Sequence, residues 1–340
     1  MKRHQVGIIG CGWVAPFHVK ALNQMTDRAE VRWVADPEIE RARNIAKTIR
    51  GGESVEALAD YRQALTRADA VFILVPHHLH HPITMEALNA GCHVLIEKPF
   101  ANSLNAADEM IAKSEEKQRT LMIAYPHRYR KSTQKFKQLV DSGVYGKLFM
   151  LDAMMDEDQR AYISGWLAKK ATLGGGVFFS ASPHMLDVML WIAGEVSTIS
   201  MVGTRGGLNM EGEDTALSVM KFSNGVVGTT RHTWFSPKPE KWYTLRAFCE
   251  RAILTLTINP LGDLAREGDR CAWKSTIEVS GCANEVLLDT GEGLDFAEEV
   301  AHFFDCVESG KPAQTDGKTA RKLMEVVFRA YQKAEQEGGL

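Results

Sequence analysis

Residues 5–15 read QVGIIGCGWVA, and this stretch decides the fold. An apolar run ends in Gly10-x-Gly12-x-x-Ala15, and a helical pattern follows with Phe17, Ala21, Leu22 and Met25 at helical spacing. Small residues are needed where a strand turns straight into a helix beneath a phosphate. Gly10 allows the tight turn, Gly12 lets a pyrophosphate approach the backbone, and Ala15 lets helix and strand pack closely. Trp13 and Val14 stand at the helix N-terminus, whose free N–H groups and partial positive charge suit an anion. A second strand, EVRWVAD over residues 30–36, ends on Asp36. A carboxylate there accepts bonds from both ribose hydroxyls of an adenosine and repels a 2′-phosphate. The expected cofactor is therefore NAD, with NADP as the alternative through the nearby Arg41 and Arg43.

The alternation continues outward from this stretch. Strand patterns recur at 69–76, 93–99 and 120–125, and helical patterns at 38–50, 81–91 and 104–118. Continuous apolar strands between helices predict a doubly wound parallel sheet covered on both faces, an α/β Rossmann domain over residues 1–124. After Tyr125 the rhythm changes. Strand patterns at 148–155, 196–203, 214–222, 225–235, 242–249, 252–258 and 275–281 follow one another, broken by a helix at 182–194. Several alternate apolar and polar residues, as one-sided antiparallel strands do. Helices at 294–310 and 317–334 close the chain. Residues 125–340 are thus expected to form an α+β domain with a large open antiparallel sheet.

A chain of 340 residues suits two domains, and 45% hydrophobic with 24% charged residues is a globular mix. A formal net charge of −3 gives no basis for a nucleic-acid or anionic-membrane partner. The six cysteines form no Cys-x-x-Cys pair, which argues against structural zinc and for free thiols. Glycines break the first apolar run, so it does not read as a signal peptide, and no segment reaches the roughly 20 apolar residues of a membrane span. The expected location is the cytoplasm.

The stretch HVLIEKPF, residues 93–100, ends a buried strand on Glu97 and Lys98 before Pro99. Together with GIIGCGWVAPFH, WVADPEIERA, the run from Ala68 to Pro99, AYPHRY, GGGVFFSASPHMLD, EDTALSVMKFSNG and SGKP, it resembles the Gfo/Idh/MocA oxidoreductases over nearly the whole chain. The resemblance implies reversible hydride transfer between NAD(P) and a secondary alcohol or ketone of a sugar, polyol or sugar acid. It also implies homodimers or homotetramers built on the second sheet, and no metal.

The resemblance further implies site residues. Lys98 would stabilise charge on the substrate oxygen, and Glu97 would hold the lysine or the ribose. His184 would be the general base. Its own context agrees: Ser182 is a good N-cap, Pro183 a good first helical residue, and a helix N-terminus disfavours imidazolium. Asp187, three residues on, could orient the ring. Pro76, His77 and His80 match the cofactor-edge motif after the third long strand. Tyr125 and Arg128 would lie at the cofactor and substrate edge, and Trp166 on a loop toward the cofactor. Lys169 and Lys170 could attract an acidic group, though two adjacent lysines are usually just solvated. Many relatives place an aspartate four residues before the histidine, where this chain has Ser180. A hydroxyl can bond a substrate but cannot hold the charge that tunes Lys98 and His184. Two other functions fit the same motifs: an NAD-dependent glycoside-cleaving enzyme that oxidises, eliminates and re-reduces, and a non-catalytic cofactor-sensing regulator.

Overall fold

The computed structural model describes residues 3–237, 239, 241–263, 267–282, 284–291 and 296–340. The chain divides into two compact units, Met1–Pro126 with Leu294–Arg321, and His127–Gly293 with Lys322–Leu340.

Among the described residues, the first unit contains a six-stranded sheet of β1 (His4–Ile9), β2 (Ala29–Ala35), β3 (Glu56–Leu58), β4 (Ala70–Ile73), β5 (His93–Glu97) and β6 (Leu121–Ala124), in the order β3-β2-β1-β4-β5-β6. Every pairing is parallel. The central strands read as apolar runs because helices bury both faces: Val6, Ile8, Val71, Phe72, Leu95, Ile96 and Ile123 have no exposed surface. The order reverses between β1 and β4, which opens a crevice at the carboxyl ends of the strands. Gly10, Asp36, Leu74, Lys98 and Tyr125 all follow strand ends there. The short β3 carries no clear alternation and is not visible in the sequence pattern.

Residues 294 and 295 of the expected 294–310 helix lie outside the described residues; Ala297–Ser309 is helical. Its aromatic residues explain its place in the first unit. Phe303 meets Phe72 edge-on at 5.6 Å, and Phe296 stacks on Phe17 at 5.6 Å. Thr315 then covers the edge of β6, exchanging bonds with the backbone of Ile123.

In the second unit, the described residues form an eight-stranded sheet: β7 (Leu148–Asp156), β8 (Val196–Thr204), β9 (Thr215–Phe222), β10 (Val227–Thr233), β11 (Tyr243–Cys249), β12 (Ala252–Pro260), β13 (Trp273–Gly281) and β14 (Glu285–Thr290). The order is β14-β13-β12-β11-β7-β10-β9-β8. It is mostly antiparallel as expected, but β7 and β10 pair in parallel, because long connections separate them in the chain. The sequence pattern missed the edge strand β14 and the helix Lys131–Asp141, where Phe136, Leu139 and Val140 are the only large apolar residues. The helices Lys131–Asp141, Val177–Ser180 and Pro183–Ala193 cover one face of the sheet. The opposite face exposes Val202, Leu217, Val219 and Val227.

No single helix among the described residues is long and apolar enough to cross a membrane.

Candidate active site

The glycine loop is held from below. Gly10 has φ +94°, and a Cβ there would stand 2.3 Å from the Leu74 carbonyl oxygen, so a side chain is excluded twice over. A Cβ at Gly12 would meet nothing within 4 Å, so the ground above it is open to a ligand. The helix Ala15–Leu22 begins directly after Val14. Trp13 is half-exposed and lies 4.9 Å from the Phe17 ring. Asp36 accepts the Cys11 N–H at 2.9 Å through Oδ2 and the Glu38 N–H at 2.9 Å through Oδ1. Burial, and then the Asp36 charge, push the Cys11 thiol up to about 12, so no second negative charge arises in the loop. Arg41 and Arg43 pair with Glu38 and Glu40 on the exposed helix surface. These residues fit a dinucleotide pyrophosphate and an adenosine ribose.

The four histidines after β4 diverge. His77 is buried and His78 exposed. His81 Nε2 lies 2.8 Å from Glu109 Oε2. His80, with no exposed surface, has Nδ1 2.9 Å from the Pro99 oxygen and Nε2 3.0 Å from the Val75 oxygen. Burial lowers its pKa against the opposing pull of those carbonyls. No group of three or more His, Cys, Asp or Glu among the described residues has metal-holding geometry.

Glu97 is buried, and its partners are informative. Oε1 lies 2.8 Å from His18 Nε2, while Oε2 accepts the backbone N–H of Lys98 at 3.3 Å. The carboxylate therefore holds the lysine by its backbone. Lys98 is half-buried, and its peptide bond to Pro99 is cis. Tyr125 is fully buried beyond β6.

In the second unit, Arg128 and Asp187 are both buried and meet each other in a bidentate pair. Burial raises the Asp187 carboxyl pKa, against the Arg128 charge that lowers it. Arg128 also lies over the Trp191 ring at 5.4 Å. His184 sits in the first turn of Pro183–Ala193, and its ring centroid is 5.0 Å from that of His127. Ser182 does not cap this helix with its side chain, as the sequence suggested. Its backbone is already αR because a short helix, Val177–Ser180, runs up to it, and a capping hydroxyl needs an extended residue. Ser182 Oγ lies 3.4 Å from His232 Nδ1. Ser180 is buried at the end of that short helix. Trp166 lies half-buried in the 3₁₀ turn Gly165–Ala168, and its carbonyl accepts the Thr172 hydroxyl. Lys169 and Lys170 are exposed, and Lys170 Nζ lies 3.6 Å from Glu335.

Three features escaped the sequence reading. His18 was visible only as a motif marker. His127 is buried among His184, Trp242 and Tyr243, with ring centroids 5.0, 5.8 and 4.7 Å away. Glu213 is buried below the triple-glycine turn, where Oε1 accepts the Tyr331 hydroxyl at 2.7 Å and the Phe178 N–H at 3.0 Å. The only local signal for any of them was a polar residue inside an apolar or motif-rich stretch.

A glycine loop at the switch point of a parallel sheet, with a carboxylate at the end of the second strand, defines an NAD-binding Rossmann domain. The chain belongs to the GFO/IDH/MocA family: residues 4–125 match its model described as an oxidoreductase family with an NAD-binding Rossmann fold, and residues 133–255 match the GFO/IDH/MocA C-terminal domain. The D-glucoside 3-dehydrogenase of Escherichia coli (strain K12) is 27% identical over 241 residues, 66% of this chain and 68% of that enzyme. The UDP-N-acetylglucosamine 3-dehydrogenase of Acidithiobacillus ferrooxidans is 25% identical over 328 residues, 94% of each. The WlbA dehydrogenase of Bordetella pertussis, solved with NADH and UDP-GlcNAcA, shares the fold with a TM-score of 0.81 over 99% of this chain and 98% of that one, at 19% identity.

Proposed function

We propose that this protein transfers a hydride between NAD and a secondary alcohol or ketone of a sugar, polyol or sugar acid. The observation that carries the reading is Lys98, held by Glu97 at the carboxyl end of β5 in an NAD-binding domain. The names of the relatives, glucoside and nucleotide-sugar dehydrogenases, support the substrate class. Residues 1–124 would hold the cofactor, and residues 125–340 would carry substrate recognition and oligomerisation.

Gly10, Gly12, Trp13 and Val14 would hold the pyrophosphate and Asp36 the adenosine ribose. The bound nicotinamide supplies the hydride acceptor or donor. In the oxidative direction the substrate hydroxyl loses a proton as the C–H bond breaks. The Lys98 ammonium donates to that oxygen and stabilises its developing negative charge. His184 accepts the proton as a neutral imidazole. Ser180 donates to or accepts from a substrate hydroxyl, and the buried Arg128–Asp187 pair braces the helix that carries His184. The exposed Val202, Leu217, Val219 and Val227 support a homodimer or homotetramer built on that sheet face.

The test is a spectrophotometric NADH screen over sugars, polyols, acidic sugars and glycosides, with product analysis. Net NADH formation with one substrate class is the expected result. Glycoside cleavage without NADH accumulation would replace this reading with the elimination chemistry, and cofactor binding without any turnover would replace it with a sensor.

A further inference from the structure

We propose that His18 and His80 are positioning residues that clamp the turn carrying Lys98 from both sides. The inference rests on the reading that Lys98 acts on the substrate. Glu97 and Pro99 are the two chain neighbours of Lys98, and each is held by a buried imidazole from a different element. His18, from the helix after the glycine loop, has Nε2 2.8 Å from the Glu97 carboxylate. His80, at the start of the helix after β4, has Nδ1 2.9 Å from the Pro99 oxygen. Neither imidazole has exposed surface.

The environment of His18 sets which ring nitrogen meets Glu97. Its ring stands edge-on to Phe72 at 5.7 Å and Phe296 at 4.9 Å, and its Nδ1 is buried without a hydrogen-bond partner. A proton on Nε2 has the Glu97 carboxylate as its acceptor, whereas one on Nδ1 would have none, so the ring donates to Glu97 through Nε2. The second oxygen of Glu97 is then left for the Lys98 backbone N–H. The Glu97 carboxylate meets His18 through Oε1, and its charge also reaches His80. His80 ties the far side of the turn to β4 through its second contact, the Val75 oxygen at 3.0 Å. Both ring nitrogens lie against backbone carbonyls, and a neutral ring donates its one N–H to one of them, so the ring is packed between the two segments as a brace of the turn.

Amide hydrogen–deuterium exchange of the full-length protein, read on the peptide spanning residues 94–101, tests the clamp without a substrate. His18→Leu and His80→Leu should each raise exchange there about 10-fold while peptides of β1 and β4 keep wild-type rates. His18→Gln, which retains a donor toward Glu97, should recover most of the protection. In turnover with the substrate found by the NADH screen, His18→Leu should lower kcat about 100-fold with NADH affinity within about 3-fold of wild type. Unchanged exchange in both leucine variants overturns the clamp. Raised exchange with unchanged kcat also overturns it, since the histidines would then be structural only. Should the leucine variants not fold, Glu97→Gln serves the same readouts. Full activity in Lys98→Ala would remove the reading of Lys98 and leave the exchange result standing, so the two failures are distinguishable.

Discussion

Arg128 closes a bidentate ion pair on Asp187, with Nε 2.9 Å from Oδ2 and Nη2 2.5 Å from Oδ1, and both side chains are buried. Two residues with separate expected roles thus answer first to each other. The planar guanidinium fits both carboxylate oxygens at once, which a single imidazole N–H cannot match. The pair ties the segment after β6 to the helix of His184.

Asp187→Ala should remove the carboxylate facing the buried guanidinium and lower the unfolding free energy by about 3–5 kcal/mol. Urea denaturation measures it. The double variant Arg128→Met, Asp187→Leu should lose less than Asp187→Ala alone, because the buried charge and its counter-charge are then removed together. A double variant less stable than the single would refute this account.

Asp36→Ala should narrow the preference for NAD over NADP by about 10-fold or more, the scale of a lost hydrogen bond to a charged group. Fluorescence titration with both reduced cofactors gives the ratio. The same variant removes the acceptor for the Cys11 N–H, so some loss of affinity for both cofactors is expected too. An unchanged ratio would take Asp36 away from the ribose.

Lys98→Ala should lower kcat about 10²–10³-fold while NADH binding stays close to wild type. Turnover near the wild-type level would end the proposed role.

Ser180→Asp places a carboxylate four residues before His184. If Ser180 lies in the proton network, the pH–rate profile should move by about one pH unit. A superimposable profile places the residue outside that network.

Burial raises the Glu213 carboxyl pKa, despite the opposing bonds from Tyr331 and Phe178. The folded state therefore holds the proton more tightly than the unfolded chain. That contribution to stability is full at low pH and is lost as pH rises through the folded pKa. Glu213→Gln cannot titrate, so wild type should lose stability relative to this variant as pH rises from the acid into the neutral range. Urea unfolding at both ends decides it; a constant difference would mean that Glu213 titrates normally.

The sequence by itself determined the features that are local in the chain. The spacing of Gly10, Gly12 and Ala15 encodes a strand–turn–helix because backbone sterics at Gly10 leave little else, and Asp36 follows β2 because the apolar run ends there. The alternation beyond residue 148 likewise gave most strands of the second sheet. Tertiary structure alone decided which polar groups answer each other. His18 meets Glu97 across 79 positions, and Arg128 meets Asp187 across 59. The parallel pairing of β7 with β10 and the return of Leu294–Arg321 to the first unit are decisions of the same kind. A buried imidazole or guanidinium must find a partner wherever packing delivers one, and that partner leaves no periodic trace beside it in the sequence.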